Sequence, residues 1–357
     1  MTAPVIDPRR RTAPAVALAL LLVLAACGTS APPPGARTVT DSTGDAVTVP
    51  ERVERVADAW PAHNEVMAIL GAGAKVVATV SNPKQTPWLY VVNPHMQQAP
   101  TVFTNSTADV EGLLAQKPDV VFLPTNSQVS AALGGIGVPA VQLNFTDYPG
   151  LKQMMTTTGD VLGGDAPRRA ADYNGYLDAT LAKVTGATGS LPDAQRPSVL
   201  HVTSLNPLTV DGTDTIIDAW IRAAGGRNAA TVKGNNIVVG TEQLLAWRPD
   251  VLILGSTTLV DPKDPDRAVR DVLGNPTFAG LPAVASRRVL LNPVGAFFWD
   301  RYSAEGALQL LWAGKTLHPE LFGDVDLNAT TRDFYGRFLD YPLSPAQADA
   351  ILGARTP

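Results

Sequence analysis

Two stretches of the chain repeat one another: residues 110–123 read VEGLLAQKPDVVFL, and residues 241–254 read TEQLLAWRPDVLIL. Eight of the fourteen aligned positions are identical, at a constant offset of 131 residues and without gaps. Each copy combines a short helical pattern, a Pro-Asp turn and an apolar run typical of a buried strand. The Pro should end the helix and hold the preceding residue in an extended conformation. A duplicated helix–turn–strand unit predicts equivalent positions in two related lobes.

Outside the repeat, short apolar runs alternate with helical patterns. Continuous Val, Leu and Ile runs are typical of parallel strands that are buried on both faces. Such runs predict strands at residues 53–59, 76–80, 120–123, 140–143, 199–203, 251–254 and 289–291. Helical patterns lie at residues 64–70, 111–116, 151–162, 215–224, 242–247 and 303–315. The alternation predicts an α/β fold with open, mainly parallel sheets.

A long helical pattern at residues 166–185 separates the two halves of the chain. Asp165 is an N-cap candidate, and Pro167 suits the first helical turn. We interpret this pattern as one helix that joins two lobes, although a crossover helix within a single large sheet would give the same signal. The predicted organisation is a signal peptide (1–26), a tether (27–37), an N-terminal lobe (38–164), the connecting helix (165–187) and a C-terminal lobe (188–357).

The first 26 residues are typical of a targeting segment. Three arginines at 9–11 precede an apolar run at 13–24, which is shorter than the roughly 20 residues that a membrane-spanning helix needs. The following Leu-Ala-Ala-Cys at 24–27 resembles the lipobox of bacterial lipoproteins, in which the Cys is acylated. Cys27 is the only cysteine and cannot form an intramolecular disulfide. We expect a lipid on Cys27 to anchor the protein to the outer face of the cell membrane; the alternative is an uncleaved signal anchor.

The composition argues against several classes of protein. With 45% hydrophobic residues, 17% charged residues and a net charge of −5, the chain is globular and has no basic face for nucleic acid. It contains no G-x-S-x-G, P-loop, G-x-G-x-x-G or H-E-x-x-H motif. We therefore expect a monomer that is not an enzyme and carries no cofactor. An extracytoplasmic metalloenzyme and a scaffold lipoprotein remain as alternatives.

The layout resembles the solute-binding proteins of ABC importers for iron–siderophores, haem and cobalamin. Besides the repeat, its markers are Glu65 followed by LGAG at 70–73, and TRDFY at 331–335 with Leu-Ser at 343–344 before a last helix. The resemblance covers about residues 38–352. It implies two Rossmann-like lobes joined by one long helix, with a metal chelate, foremost an iron–siderophore, captured between them and delivered to a permease. Haem, cobalamin and a nickel or cobalt chelate remain as alternatives.

Glu111 and Glu242 occupy the same position in the two repeat units, at the start of a helical pattern. The resemblance implies that these two glutamates dock the lobes onto the permease. An acidic side chain in a first helical turn also stabilises the helix by roughly 0.3–1 kcal/mol through the helix dipole. That local effect is the alternative explanation for each glutamate.

The ligand candidates lie in loops that follow predicted strands. Ligands of open α/β sheets bind beyond the carboxyl ends of the strands. Aromatic walls with a few placed polar groups suit a large chelate, and an Arg suits its anionic groups. The predicted ligand-binding residues are Trp60, His63, Trp88, Tyr90, Asn126, Asn206, Trp299, Arg301 and Tyr302. His63 is also a possible metal ligand or helix cap, and Phe297 and Phe298 could belong either to the site or to the core.

Overall fold

The computed structural model describes residues 1–2, 35–104, 106–133, 135–255 and 264–357. The apolar run, Cys27 and most of the tether therefore lie outside the described residues. Within the described part of the chain, no helix is both long enough and apolar enough to cross a membrane.

A four-stranded parallel sheet forms the first half of the fold, in the order β4–β3–β5–β6. It follows a small antiparallel hairpin of β1 and β2. The strands are β1 (Arg37–Thr40), β2 (Ala46–Val49), β3 (Val56–Asp58), β4 (Val76–Thr79), β5 (Val120–Pro124) and β6 (Ala140–Leu143). The helices are α1 (Pro61–Ile69), α2 (Pro87–Val92), α3 (Val110–Ala115), α4 (Gln128–Leu133) and α5 (Tyr148–Leu162).

The second half contains a sheet in the order β10–β8–β7–β11–β12, with β9 also paired to β7. The β7, β11 and β12 strands are parallel, and β8 returns antiparallel to β7. The strands are β7 (Ser198–Leu205), β8 (Leu208–Val210), β9 (Arg227–Asn228), β10 (Ile237–Val238), β11 (Val251–Leu254) and β12 (Val289–Leu291). The helices are α7 (Ile216–Ala223), α8 (Thr241–Trp247), α9 (Asp266–Gly274), α10 (Pro282–Ala285), α11 (Gly306–Leu317), α12 (Leu327–Phe338) and α13 (Pro345–Leu352).

A single helix, α6 (Ala166–Thr188), connects the two sheets and extends for 23 residues, or roughly 35 Å. Asp165 stands at its N-cap position but makes no capping hydrogen bond. Its carboxylate instead pairs with Arg168 at 2.7 Å. The buried hydroxyl of Tyr173 donates to the carbonyl of Ala304 at 2.6 Å, which ties α6 to the second half. The predicted fold class, two lobes with mainly parallel sheets joined by one long helix, is confirmed.

The two repeat units have the same local geometry. Each forms a short helix followed by a buried strand, α3–β5 and α8–β11. Lys117 and Arg248, at equivalent positions before the Pro, have φ angles of +48° and +46°. The expectation of an extended residue at this position was therefore wrong. A left-handed residue closes the last helical turn and lets the chain reverse into the strand.

The aspartate after each Pro explains why the turn is repeated. Oδ2 of Asp119 accepts from the backbone N–H of Arg55 at 2.9 Å, just before β3. Oδ2 of Asp250 accepts from the backbone N–H of Ser198 at 2.8 Å, at the start of β7. Each aspartate thus fixes the start of the neighbouring parallel strand, and the two halves make this contact with equivalent residues.

Candidate functional site

A cavity of about 400 Å³ lies beyond the carboxyl ends of the strands and takes residues from both halves of the fold. From the first half it is lined by Ala59, Trp60, Pro61, Ala62, Thr104, Pro124 and Ser127. From the second half it is lined by Asn236, Phe297, Phe298, Arg301 and Tyr302. Three of the predicted ligand-binding residues, Trp60, Arg301 and Tyr302, therefore line the same cavity.

Aromatic rings from the two halves meet at this cavity. The Trp60 ring centroid lies 6.2 Å from that of Tyr302 and 6.0 Å from that of Phe145. Phe145 and Tyr302 meet edge-to-face at 5.4 Å. Such tilted contacts are favourable arrangements for aromatic rings. They give the cavity a rigid apolar wall that neither half could form alone.

The turn that carries Trp60 is held by buried polar contacts. Oδ1 of Asp58 accepts from the backbone N–H of Trp60 at 3.1 Å, and the Asn64 amide donates to the Trp60 carbonyl at 2.9 Å. His63 is fully buried; its Nδ1 lies 2.9 Å from Asp58 Oδ2, and its Nε2 lies 2.9 Å from Thr158 Oγ1. Both ring nitrogens of His63 thus have protein partners, and the ring supports the turn from behind.

A chain of four charged side chains ends at the cavity. Nη1 and Nη2 of Arg301 lie 2.9 and 3.3 Å from the two carboxylate oxygens of Asp211. Asp211 also lies 2.8 Å from Nδ1 of His201, and Asp300 lies 2.8 Å from Nε2 of the same ring. Asp211, His201 and Asp300 are at most 1% exposed. Because Arg301 lines the cavity, the buried chain presents its guanidinium there.

The pKa values of His201 and Asp211 are both shifted toward the charged form of the side chain. Burial alone would lower the pKa of His201, but hydrogen bonds to Asp211 and Asp300 raise it to about 9. Burial would raise the pKa of Asp211, but His201 and Arg301 bring it below its ordinary value. Acidic and basic side chains alternate from Asp300 to Arg301, and the basic end faces the cavity. This arrangement fixes the orientation of the Arg301 guanidinium, a group whose geometry suits carboxylates and phosphates.

The remaining predicted ligand-binding residues do not line this cavity. Trp299 is 1% exposed and belongs to the hydrophobic core. The Trp88 indole donates to the Arg355 carbonyl, and the Tyr90 hydroxyl donates to the Ser81 carbonyl, each at 2.8 Å. The exposed residues are Asn126, beside the cavity-lining Ser127, and Asn206, at the turn between β7 and β8. Phe297 and Phe298 both line the cavity.

Sequence reasoning missed three residues of the site. Asp211 is 90 residues from Arg301, so no local spacing could reveal the ion pair. Asn236 lines the cavity, and its backbone N–H donates to Asp211 at 2.9 Å. Phe145 lies two residues after the predicted strand at 140–143, and Trp60 directly follows the one at 53–59, so that position was the available signal.

Glu65 and Glu305 form a second buried cluster beside the loop that carries Arg301. Oε2 of Glu65 accepts from the Ser303 hydroxyl at 2.9 Å and from the Ala304 N–H at 3.2 Å. Glu305 accepts from the Phe297 N–H at 3.0 Å. Burial and the nearby Glu305 raise the pKa of Glu65 well above its ordinary value. Burial raises the pKa of Glu305 to about 7.

The stability of the fold should consequently depend on pH through Glu305. Its folded-state pKa lies above the ordinary value of 4.5. The stabilisation is therefore fully present below pH 4.5 and is lost as the pH rises through 7. The free energy of unfolding should therefore fall as the pH rises across this range. Denaturant titrations should show a flatter pH profile for Glu305→Gln, since the amide does not titrate. Parallel profiles for the two proteins would contradict this assignment.

Glu111 and Glu242 are exposed in the first turns of α3 and α8. Neither carboxylate forms an ion pair or a side-chain hydrogen bond with any described residue. Across the described ranges, no three His, Cys, Asp or Glu side chains come together as a metal-ion site.

Comparisons with known proteins agree with this architecture. The family model for the periplasmic binding proteins matches residues 58–293. The molybdate-binding protein MolA of Haemophilus influenzae is 27% identical over 336 residues, which cover 87% of this chain and 93% of MolA. A periplasmic solute-binding protein of Veillonella parvula has a similar structure, with a TM-score of 0.76 and 27% identity over 89% of this chain and 97% of that one. The structure of MolA bound to molybdate also has a TM-score of 0.76, with 21% identity over 86% of this chain and 99% of MolA, and shows the shared fold. The chain therefore belongs to the periplasmic binding protein family, the solute-binding proteins of ABC importers that its sequence motifs resemble.

Proposed function

We propose that this protein captures an anionic metal chelate, foremost an iron–siderophore, in the cavity between its two halves and delivers it to an ABC importer permease. The observation that carries this proposal is the placement of Arg301. Its guanidinium lines an aromatic-walled cavity and is held by the buried carboxylate of Asp211. A bidentate donor beside apolar walls suits a ligand with both an anionic and an organic surface.

A metal oxyanion is the second candidate cargo. The relative MolA, 27% identical to this chain, is a molybdate-binding protein, and the same guanidinium could bind a small oxyanion. Haem, cobalamin and a nickel or cobalt chelate are further members of the chelate class. Both classes include anionic cargoes, so Arg301 alone does not distinguish between them.

Two further parts of the proposal concern transport. Glu111 and Glu242 are exposed and have no side-chain partners among the described residues, so each half of the fold presents a free carboxylate at the same position of the repeat. We assign both to permease docking. A lipid on Cys27 would hold the protein at the outer face of the membrane, where the folded part reaches the permease as a monomer. Lipoproteins that stay anchored use more than one acyl chain.

Mass spectrometry of the protein purified from its host membranes tests the cargo and the anchor together. Under native conditions the mass should include a non-covalent ligand with the isotope pattern of a metal. Under denaturing conditions that ligand should leave, and the polypeptide should begin at Cys27 with the added mass of a lipid. A metal-free organic ligand would refute the metal-chelate function. A mature chain that begins elsewhere, or carries no lipid, would refute the anchor.

A further inference from the structure

A second, larger cavity adjoins the first. Its volume is about 700 Å³, and the two cavities share Pro61, Thr104, Phe297 and Phe298 as lining residues. The apolar part of its remaining wall comes from Val80, Pro87, Trp88, Phe103, Val294 and Ala354. The second cavity therefore offers apolar surface next to the place where Arg301 would hold an anionic group.

One buried polar atom in this second cavity has no partner. Ser81 is 2% exposed, and its Oγ makes no hydrogen bond to any described residue. A buried hydroxyl without a partner is unfavourable unless another group completes its hydrogen bonding. Because Ser81 lines the second cavity, a ligand oxygen or nitrogen in that cavity would supply the missing partner.

The rim of the second cavity carries a cation without a counter-ion. Lys84 is exposed and forms no ion pair within the described part of the chain. The loop that presents it is ordered by Asn82, whose Oδ1 accepts from the backbone N–H groups of Lys84 and Gln85 at 3.1 and 3.2 Å. The cavity thus combines apolar walls, the Ser81 hydroxyl that lacks a hydrogen-bond partner, and the positive charge of Lys84 at its rim.

The opposite wall of the second cavity is fixed by contacts to both halves of the fold. The Arg355 carbonyl accepts from the Trp88 indole at 2.8 Å, and the Arg355 guanidinium pairs with Asp266 of α9 at 2.9 Å. Ala354 and Thr356 line the cavity on either side of Arg355. The cavity is therefore preorganised, which lowers the free-energy cost of binding a ligand there.

We propose that the second cavity is a subsite for the organic body of the chelate. This inference rests on the proposed function: the anionic, metal-bearing part binds at Arg301, while the organic part lies against Trp88 and Phe103. An oxygen on that organic part completes the hydrogen bonding of Ser81, and a negative edge faces Lys84. A bare tetrahedral oxyanion has no apolar surface for these walls. The cargo is therefore a chelate with an organic ligand long enough to span both cavities.

A variant that fills only the second cavity tests this subsite. Gln85 is exposed and lines the second cavity but not the first. Gln98 is also exposed and lines neither cavity, so Gln98→Trp is a matched control for Gln85→Trp. The probes are the anionic ferric complexes of enterobactin and bacillibactin, and sodium molybdate, each titrated by isothermal calorimetry.

Wild type and Gln98→Trp should bind at least one ferric chelate with equal Kd, and Gln85→Trp should weaken that binding at least tenfold. Ser81→Ala should weaken it severalfold, and any affinity for molybdate should stay unchanged in all variants. If Gln85→Trp lowers the melting temperature, Thr356→Trp fills the cavity from the opposite wall and should cause the same loss of chelate affinity.

Equal chelate affinity in the folded cavity-filling variants and in the Gln98→Trp control would overturn the subsite. The proposed function would still stand if that affinity depended on Arg301. A wild-type protein that binds no probe and carries no metal when purified from its host would refute both.

Discussion

Arg301→Ala should weaken binding of the anionic cargo by about 100-fold, which corresponds to roughly 3 kcal/mol of binding free energy. The variant loses charge-assisted hydrogen bonds from a preoriented guanidinium, and each such bond is worth about 1.5–3 kcal/mol. It also leaves the buried Asp211 carboxylate without its Arg partner beside the cavity, where that carboxylate repels an anion. Arg301→Lys should recover only part of the affinity, because an ammonium cannot replace the bidentate contact.

The matched control for Arg301 is Arg222, which pairs with the largely buried Asp218 at 2.8 Å and lines neither cavity. Arg222→Ala should leave the Kd of the cargo unchanged. Calorimetric titration of both variants, with melting temperatures measured on the same samples, separates binding from folding. An unchanged Kd in folded Arg301→Ala would remove the observation on which the proposed function depends.

The double variant Glu111→Ala with Glu242→Ala should lower uptake into cells at least tenfold while leaving the cargo Kd intact. Each single change should be mild, since exposed charges mainly set the rate and orientation of encounter. Losing both would remove the anchor from each half of the fold. Reversal of both charges to Arg should lower uptake further, because it adds repulsion against a basic permease surface.

Two other exposed glutamates, Glu51 and Glu320, one in each half of the fold, make the control double variant. Its uptake should match that of the wild type. If the repeated glutamates serve only the helix dipole, their removal should cost roughly 0.3–1 kcal/mol of stability at each helix and leave uptake normal. Normal uptake by the Glu111 and Glu242 double variant at normal expression would therefore restrict their role to helix stability.

Much of the fold could be predicted because its signals are local. The apolar runs at 140–143, 251–254 and 289–291 became strands with the predicted bounds, since a buried parallel strand is apolar on both faces. The connecting helix began where Asp165 and Pro167 indicated but continued to Thr188. Strand β8, which runs antiparallel to β7, was not predicted, because a strand of three residues is too short to show a periodic pattern of apolar residues.

The site was harder to predict because its decisive contacts are distant in sequence. Trp60 and Trp299 looked equivalent as aromatic residues in loops after strands. The difference between them depends on the tertiary structure: Trp60 lines the cavity, whereas Trp299 is buried in the core. The same limit applies to Asp211: its acidic side chain is evident in the sequence, but its ion pair with Arg301 joins the end of β8 to the segment between β12 and α11.

The alternating chain from Asp300 to Arg301 also bears on which forms of a metal the protein would collect. A bare Fe³⁺, Zn²⁺ or Cu²⁺ ion approaching the cavity would meet a positive group, and the carboxylates that could ligate it are already occupied by His201 and Arg301. A metal wrapped in an anionic shell would instead be attracted. The protein would thus select its cargo by the charge of the ligand shell around the metal rather than by the identity of the metal. That selectivity would prevent the common free cations of the surroundings from occupying the cavity and competing with the cargo.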